Sequence, residues 1–217
     1  MNKPTISYCI TVNDEYKELR KVFQVLNQNK RPEDEIVIQQ DNTSNGVSSD
    51  LNKGMISGYC GQLQDDGFIT FVQTPLNKDF ATFKNNLRSV ATKDYIFQID
   101  ADECPSEYLI TYLPDILEMN PGIDLIWVPR INTVDGLTQE DIDKWRWNVS
   151  EDGYVNFPDF QSRIYRRDEN IVWKSKVHEQ ITGVQSFAKL PMTDDHCLYH
   201  PKTIDKQRKQ NNFYNTL

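Results

Sequence analysis

The first 120 residues switch repeatedly between two hydrophobic periods. Ile6 to Val12 predicts a short buried strand, with Tyr8, Cys9 and Ile10 in its middle. Tyr16, Leu19, Val22, Phe23 and Leu26 then recur at helical spacing behind Asp14, which is placed to cap the helix they form. Pro32 stops that helix, and Glu35 to Gln40 (Glu-Ile-Val-Ile-Gln-Gln) predicts a second strand. The polar loop Asp41 to Gly46 leads into a weaker helix interrupted by Gly54, Gly58 and Gly61, and Phe68 to Gln73 predicts a third strand. Asp79 to Thr92 reads as helix and Tyr95 to Asp100 as a fourth strand. Pro105 opens a further helix through Leu109, Leu113 and Leu117, which Pro121-Gly122 ends.

The second half has a different texture. Ile123 to Arg130 predicts another strand, and Asn132 to Asp159 is a long polar stretch holding Trp145-Arg146-Trp147. Shorter β-like pieces follow at Ser162 to Arg166, Ile171 to Trp173 and Val177 to Ile181, before a basic segment, Lys202 to Lys209, and an apolar tail of Phe213, Tyr214 and Leu217. There is no internal repeat and no low-complexity linker, so the expectation is one domain over 1–217. Alternating strands and helices predict an α/β fold, a mostly parallel sheet with helices on both faces. In such sheets ligands sit beyond the carboxyl ends of the strands. The residues just past those ends are Thr11-Val12-Asn13-Asp14, Asp41-Asn42-Thr43-Ser44 and Asp100-Ala101-Asp102-Glu103, so polar and acidic groups gather at one edge three times.

Charge narrows the candidate chemistry. Lys and Arg number 24 against 32 Asp and Glu, a net charge of −8, which argues against nucleic acid, whose binding rests on cations neutralising phosphates. The four cysteines, Cys9, Cys60, Cys104 and Cys197, lie far apart with no C-x-x-C pair, the pattern of reduced thiols in a cytoplasmic protein. The N-terminal residues carry no signal-peptide-like apolar stretch, and Leu125 to Pro129, the most apolar run elsewhere, is far short of the ~20 residues a membrane span needs. The basic C-terminal segment leaves peripheral attachment to a membrane as an expectation.

Asp100-Ala101-Asp102 ends a buried strand. If the backbone stays extended, side chains two apart face the same way, and both carboxylates point into the crevice. Two carboxylates that close gain most from a hard divalent cation such as Mg²⁺ or Mn²⁺. The competing account is a solvated acidic turn ahead of the next helix.

On these elements the chain resembles family 2 glycosyltransferases of the GT-A fold. The resemblance is carried by Ile6 to Glu15 as the opening strand and turn, Glu35 to Ser44 as the second strand and its terminal Asp, Lys78 to Arg88 as the segment before the central strand, and Tyr95 to Glu103 as the D-x-D strand. A later piece, Asp159 to Arg167 followed by Val177-His178-Glu179, is similar to an Arg-rich strand and Val-His-Glu element of bacterial and phage members. The resemblance implies a nucleotide-diphosphate sugar donor, uridine type favoured, and a divalent cation. It implies donor contacts at Thr11, Asn13, Asp14, Asp41, Asp100 and Ala101 in a nucleotide-sugar half, 1–120, with an acceptor half over 121–217. The segment Phe83-Lys84-Asn85-Asn86 has Lys where the family often has Arg, so either Lys84 or Arg88, beside Asn85, is the expected diphosphate contact. The absence of a Q-x-x-R-W element points to single addition rather than polymerisation.

The expected reaction moves one sugar to an acceptor hydroxyl of a glycan, a lipid-linked molecule or a protein, with inversion. A cation held by Asp102, with Asp100, offsets charge on the departing diphosphate, and His200 is a further candidate ligand or phosphate contact. Glu179 is the candidate general base, with Glu103 and Asp159 as alternatives. Trp145 and Trp147 are an acceptor platform or the packing of a loop on the sheet edge. Alternation in the strand puts Arg163 with Tyr165 on one face and Ile164 with Arg166 on the other, so one Arg faces the crevice; Arg163 and His178 are assigned to the acceptor, and His196 is given a structural part. Two alternatives stand beside this reading. A nucleotidyltransferase of related fold would need a Gly-rich phosphate loop after the first strand, which Thr11-Val12-Asn13-Asp14 lacks, and a silent carbohydrate-binding protein has no use for a complete acidic set.

Overall fold

The computed structural model describes residues 3–44 and 46–214, with residues 48 and 210–214 described by backbone alone. The first half follows the hydrophobic periodicity: β1 (Ile6–Val12), α1 (Tyr16–Asn29), β2 (Glu35–Asp41), α2 (Val47–Asp65), β3 (Thr70–Thr74), α3 (Phe80–Val90) and β4 (Tyr95–Asp100). Two ends differ from expectation. Asp14 does not cap α1; Glu15 holds the N-cap position, and its Oε2 accepts from the backbone N–H groups of Asn13 and Asp14 at 2.9 and 3.1 Å. Pro105 does not open a helix but lies in the two-residue strand β5 (Cys104–Pro105), so α4 (Glu107–Met119) begins after Ser106, whose Oγ accepts from the Leu109 N–H at 3.0 Å.

The second half is more regular than its composition suggests. It holds β6 (Leu125–Asp135), α5 (Gln139–Trp145), β7 (Asp159–Arg166), β8 (Val172–Lys174), β9 (Gln180–Thr182), β10 (Phe187–Lys189), β11 (Leu198–Thr203) and α6 (Ile204–Tyr214). Thus β6 runs past its expected end at Arg130, and α5 lies inside the polar stretch. The Val-His-Glu element precedes β9 as irregular chain instead of forming a strand. Of the apolar tail, the Phe213 and Tyr214 side chains and the whole of Leu217 lie outside the described residues.

Strands from both halves form one nine-stranded sheet in the order β3-β2-β1-β4-β7-β6-β11-β5, with β10 also beside β6. β1 to β4 pair in parallel, and β7 is antiparallel to both β4 and β6. Period-2 alternation splits the side chains between two cores. Tyr8, Ile10, Phe97, Ile99 and Ile164 join α1, α2 and α4 on one face, while Cys9, Ile96 and Tyr165 join α3 and Trp173 on the other. The buried amides Gln39 and Gln40 staple β2 to both layers, donating to the carbonyls of Phe83 on α3 and Lys53 on α2 at 2.7 and 2.8 Å. The β8–β9 hairpin closes over α3, and its exit requires Gly183: at φ +85°, a Cβ there would stand 2.0 Å from the Asn170 carbonyl oxygen.

Candidate active site at the strand ends

The Thr11–Asp100 register between β1 and β4 puts both residues at the carboxyl edge of the sheet, where the Thr11 hydroxyl donates to Asp100 Oδ1 at 2.8 Å. Beyond Asp100 the strand does not continue. The Glu103 N–H donates to the Asp100 carbonyl at 2.8 Å, which closes a turn over Ala101 and Asp102. The extended backbone assumed from sequence is therefore absent, and the two carboxylates diverge. Asp100 Oδ2 accepts from Arg163 Nη2 at 2.7 Å, with Lys84 Nζ 3.8 Å from Oδ1. Burial raises the Asp100 pKa, but Arg163, Lys84 and the Thr11 hydroxyl outweigh it and hold the carboxyl far below the usual range. Glu103, wholly buried, accepts from Arg130 Nη1 and Arg163 Nη2, both at 2.6 Å. It is a fixed counter-charge with no open face toward an acceptor.

Asp102 turns the other way, toward β11 and α6. Its Oδ2 lies 3.4 Å from His200 Nε2 and 3.2 Å from Lys206 Nζ. Burial again works to raise its pKa, and the His200 hydrogen bond with Lys206 and Lys202 lowers it on balance. His200 is itself fixed from behind. Asp159 Oδ2 accepts from Asn132 Nδ2 at 2.9 Å, which turns Asn132 Oδ1 to His200 Nδ1 at 2.7 Å. An amide oxygen only accepts, so Nδ1 carries a proton, and Nε2 is the ring nitrogen turned toward Asp102. Lys206 Nζ stands 3.2 Å from the same Asp102 oxygen, so a positive charge already adjoins the pair. The β6–β11 register, which pairs Asn132 with His200, creates this chain. Asp159 is occupied on both oxygens, taking Arg130 at 2.7 Å and Gln161 at 2.7 Å besides Asn132.

Lys84 is buried on α3, with Nζ 2.7 Å from Glu179 Oε1 and 4.6 Å from the centre of the Trp173 ring. Of the two cations named for the diphosphate, Lys84 lies beside Asp100. Arg88 is at the far end of α3, where it donates to the Asp168 carbonyl near the strand starts. Asn85 exchanges two hydrogen bonds with the Trp173 backbone, at 2.9 and 3.0 Å, and so docks the hairpin that carries Glu179. His178 is exposed in the preceding turn at φ 55°. Asp41 is buried; its Oδ1 accepts from the Thr43 N–H and hydroxyl and the Leu76 N–H at 2.9, 2.7 and 3.0 Å, while Oδ2 lies 3.7 Å from Lys53 Nζ. Ala101 is buried with its N–H on the Thr11 carbonyl, and Asn13 and Asp14 stand half-buried in the turn.

Beside His200 opens a cleft of ≈ 390 Å³ lined by Arg130, Asn132, Trp147, Asp159, Phe160 and Lys202, among others. Trp145 backs Trp147, their ring centroids 4.6 Å apart. His196 is away from the cleft, bonded to Thr193 Oγ1 through Nδ1 at 2.8 Å. Among the described residues no cluster of three or more His, Cys, Asp or Glu is arranged to hold a metal. Asn132, Arg130 and Lys206 escaped the sequence reading because nothing local marks them; strand register and helix docking bring them in. The cations of the basic tail also turn inward, Lys206 to Asp102 and Arg208 to Asp141 at 2.9 Å. No helix among the described residues is long and apolar enough to cross a membrane, and all four cysteines are free thiols.

Known proteins share this architecture. The structure of S. aureus TarS 1-349 superposes with a TM-score of 0.59 at 12% identity, covering 91% of this chain and 60% of that one. The complex of TarS 1-349 with UDP-GlcNAc gives 0.58 at 12% identity, covering 91% and 58%. At such identity the likeness is one of fold, the GT-A α/β sheet flanked by helices, and this chain spans about 60% of the length of that TarS fragment. No curated protein sequence matches the chain significantly. The sequence profile of glycosyl transferase family 2, however, matches residues 7–189 and so takes in every strand-end residue from Thr11 to Glu179. The chain belongs to glycosyl transferase family 2.

Proposed function

We propose that this chain, as one GT-A unit over 1–217, transfers a single sugar with inversion from a uridine-type nucleotide-diphosphate donor to an acceptor hydroxyl, aided by Mn²⁺ or Mg²⁺. The observation that carries the reading is the placement of Asp102 and His200 side by side, Oδ2 and Nε2 3.4 Å apart, at the carboxyl edge of the sheet. A carboxylate and an imidazole are ligand types that suit Mn²⁺, so Asp102 and His200 are the residues that would hold it, while Asp100 is committed to Arg163 and Thr11. A cation there supplies Lewis-acid stabilisation of charge on the departing diphosphate.

The remaining parts fall to side chains. Asp41, at the end of β2, takes the N3–H of the pyrimidine ring, and Lys84 meets the diphosphate from beside Asp100. Glu179 accepts the acceptor hydroxyl proton as the acceptor oxygen bonds to sugar C1 and the C1–O bond to the diphosphate breaks. Its ion pair with Lys84 positions its carboxylate at the crevice. The Trp147–Phe160 cleft, opening beside His200, offers aromatic faces and polar edges to the acceptor. Melting temperature in the presence of UDP, UDP-sugars and ADP, each with and without Mn²⁺, tests this. A ligand that binds only the native state at a hundredfold excess over Kd adds about 2.7 kcal/mol. Cation-dependent stabilisation by uridine nucleotides above ADP is expected; equal shifts for both bases, or shifts indifferent to chelator, would refute it.

A further inference from the structure

The outer face of α1 has an unusual composition for so acidic a chain. Lys17, Arg20, Lys21, Gln24, Asn27 and Gln28 are all exposed at i, i+3, i+4, i+7 spacing, opposite the buried Leu19, Val22, Phe23 and Leu26. No carboxylate stands on this face, although the chain carries a net charge of −8. These residues, with Phe23 and Tyr59 of α2, line a groove of ≈ 520 Å³. Arg20 lies over the rings of Tyr16 and Tyr59, 5.7 and 5.8 Å from their centres, and neither Lys17 nor Lys21 has an ion-pair partner among the described residues. Lys17 moreover occupies the first turn of the helix, where the macrodipole favours an acidic residue.

A second observation adjoins the first. One and two turns ahead of Tyr59, α2 exposes Met55 (43%) and Leu51 (68%), then Val47 (90%) at its start, and Phe68 (48%) packs edge-on to Phe23 behind the groove. Spacing of four places Val47, Leu51, Met55 and Tyr59 along one gently winding stripe. Both helices start from strand carboxyl ends, so the cations of α1 and the apolar start of α2 lie toward the crevice end of the molecule. Cations beside exposed aliphatic and aromatic side chains match the boundary of an anionic bilayer, where apolar groups enter the headgroup layer and lysines face the lipid charge. A soluble polyanion would use the cations and leave the apolar stripe idle.

We infer that the α1–α2 face docks on an anionic membrane surface and turns the strand-end crevice toward it. The inference is independent of the transfer reaction, since it needs no donor and no turnover. Co-sedimentation of the full chain with vesicles of phosphatidylcholine alone, or with about 30% phosphatidylglycerol, tests it. Binding is expected only to the anionic vesicles and should weaken with salt. Lys17→Gln/Lys21→Gln should lower the partition coefficient about 25-fold, at about fivefold per lysine. Leu51→Asn/Met55→Asn should also weaken binding while its salt dependence persists. These positions are exposed, and unchanged melting temperatures establish that the variants are folded. No binding to anionic vesicles, equal binding to neutral ones, or a lysine variant that binds as the parent does would overturn the inference. So would an undiminished affinity of Leu51→Asn/Met55→Asn together with release of the bound protein by free polyphosphate, which would identify a soluble polyanion as the occupant.

Discussion

Replacing Arg163 by Met should strand a buried carboxylate and destabilise the fold in a way that a second substitution repairs. Arg163 is 4% exposed, and its Nη2 reaches Asp100 Oδ2 at 2.7 Å and Glu103 Oε1 at 2.6 Å. Without it Glu103 keeps Arg130 and a long contact from the Asp100 N–H at 3.4 Å, and Asp100 keeps the Thr11 hydroxyl and Lys84 at 3.8 Å. Removing one partner of a buried ion pair costs about 3–5 kcal/mol. The Asp100 side chain is 35% exposed, so water recovers part of its solvation and most of the loss falls on Glu103. About 3 kcal/mol is therefore expected, against a total stability of roughly 5–15 kcal/mol. With a urea slope near 3 kcal/mol per molar, the upper value for small proteins, the midpoint should fall by about 1 M. Adding Glu103→Gln removes the stranded charge, so the double variant should lose less than the sum of the single losses, with a coupling of about 1–3 kcal/mol. A midpoint shift under about 0.3 M, or strictly additive losses, would show that the cluster does not hold the D-x-D turn as described.

Glu179→Gln should leave nucleotide binding near normal and lower transfer by about 10²–10⁴, read by separate binding and turnover measurements; lost donor binding with unchanged turnover of bound donor would move Glu179 to the donor shell. Asp41→Ala should weaken the preference for uridine over adenosine nucleotides by roughly 1–3 kcal/mol in thermal shift, and an unaltered ranking would remove Asp41 from base contact. Burial pushes the Asp159 carboxyl up, but Arg130, Asn132 and Gln161 hold it below its ordinary value. Its contribution to stability is thus present above about pH 4, the unfolded value, and is lost as pH falls through the lower folded value. Asp159→Asn should therefore be less stable at pH 7 and lose less on acidification, measured by urea midpoints at both pH values; parallel pH curves for variant and parent would contradict this.

Legibility in the sequence followed the reach of the interactions. Strands β1, β2 and β4 and the faces of α1 and α3 were readable because their periodicity records burial within one element. The acidic edge was also readable, since any residue that ends a parallel strand is carried to that edge by the chain itself. The divergence of Asp100 and Asp102 was not, because it depends on one turn hydrogen bond that breaks the assumed alternation. Strand β11 carries Pro201 and few apolar residues, so its pairing with β5 and β6 makes it a strand, and the β6 register places His200 against Asn132. Lys206 reaches Asp102 through the docking of α6, and Glu179 reaches Lys84 through a hairpin held by Asn85, each contact spanning 88 residues or more. Local sequence dictates which residue types stand at the strand ends; which of them face one another follows from tertiary packing, because register and helix docking are set by the whole core rather than by any local run of residues.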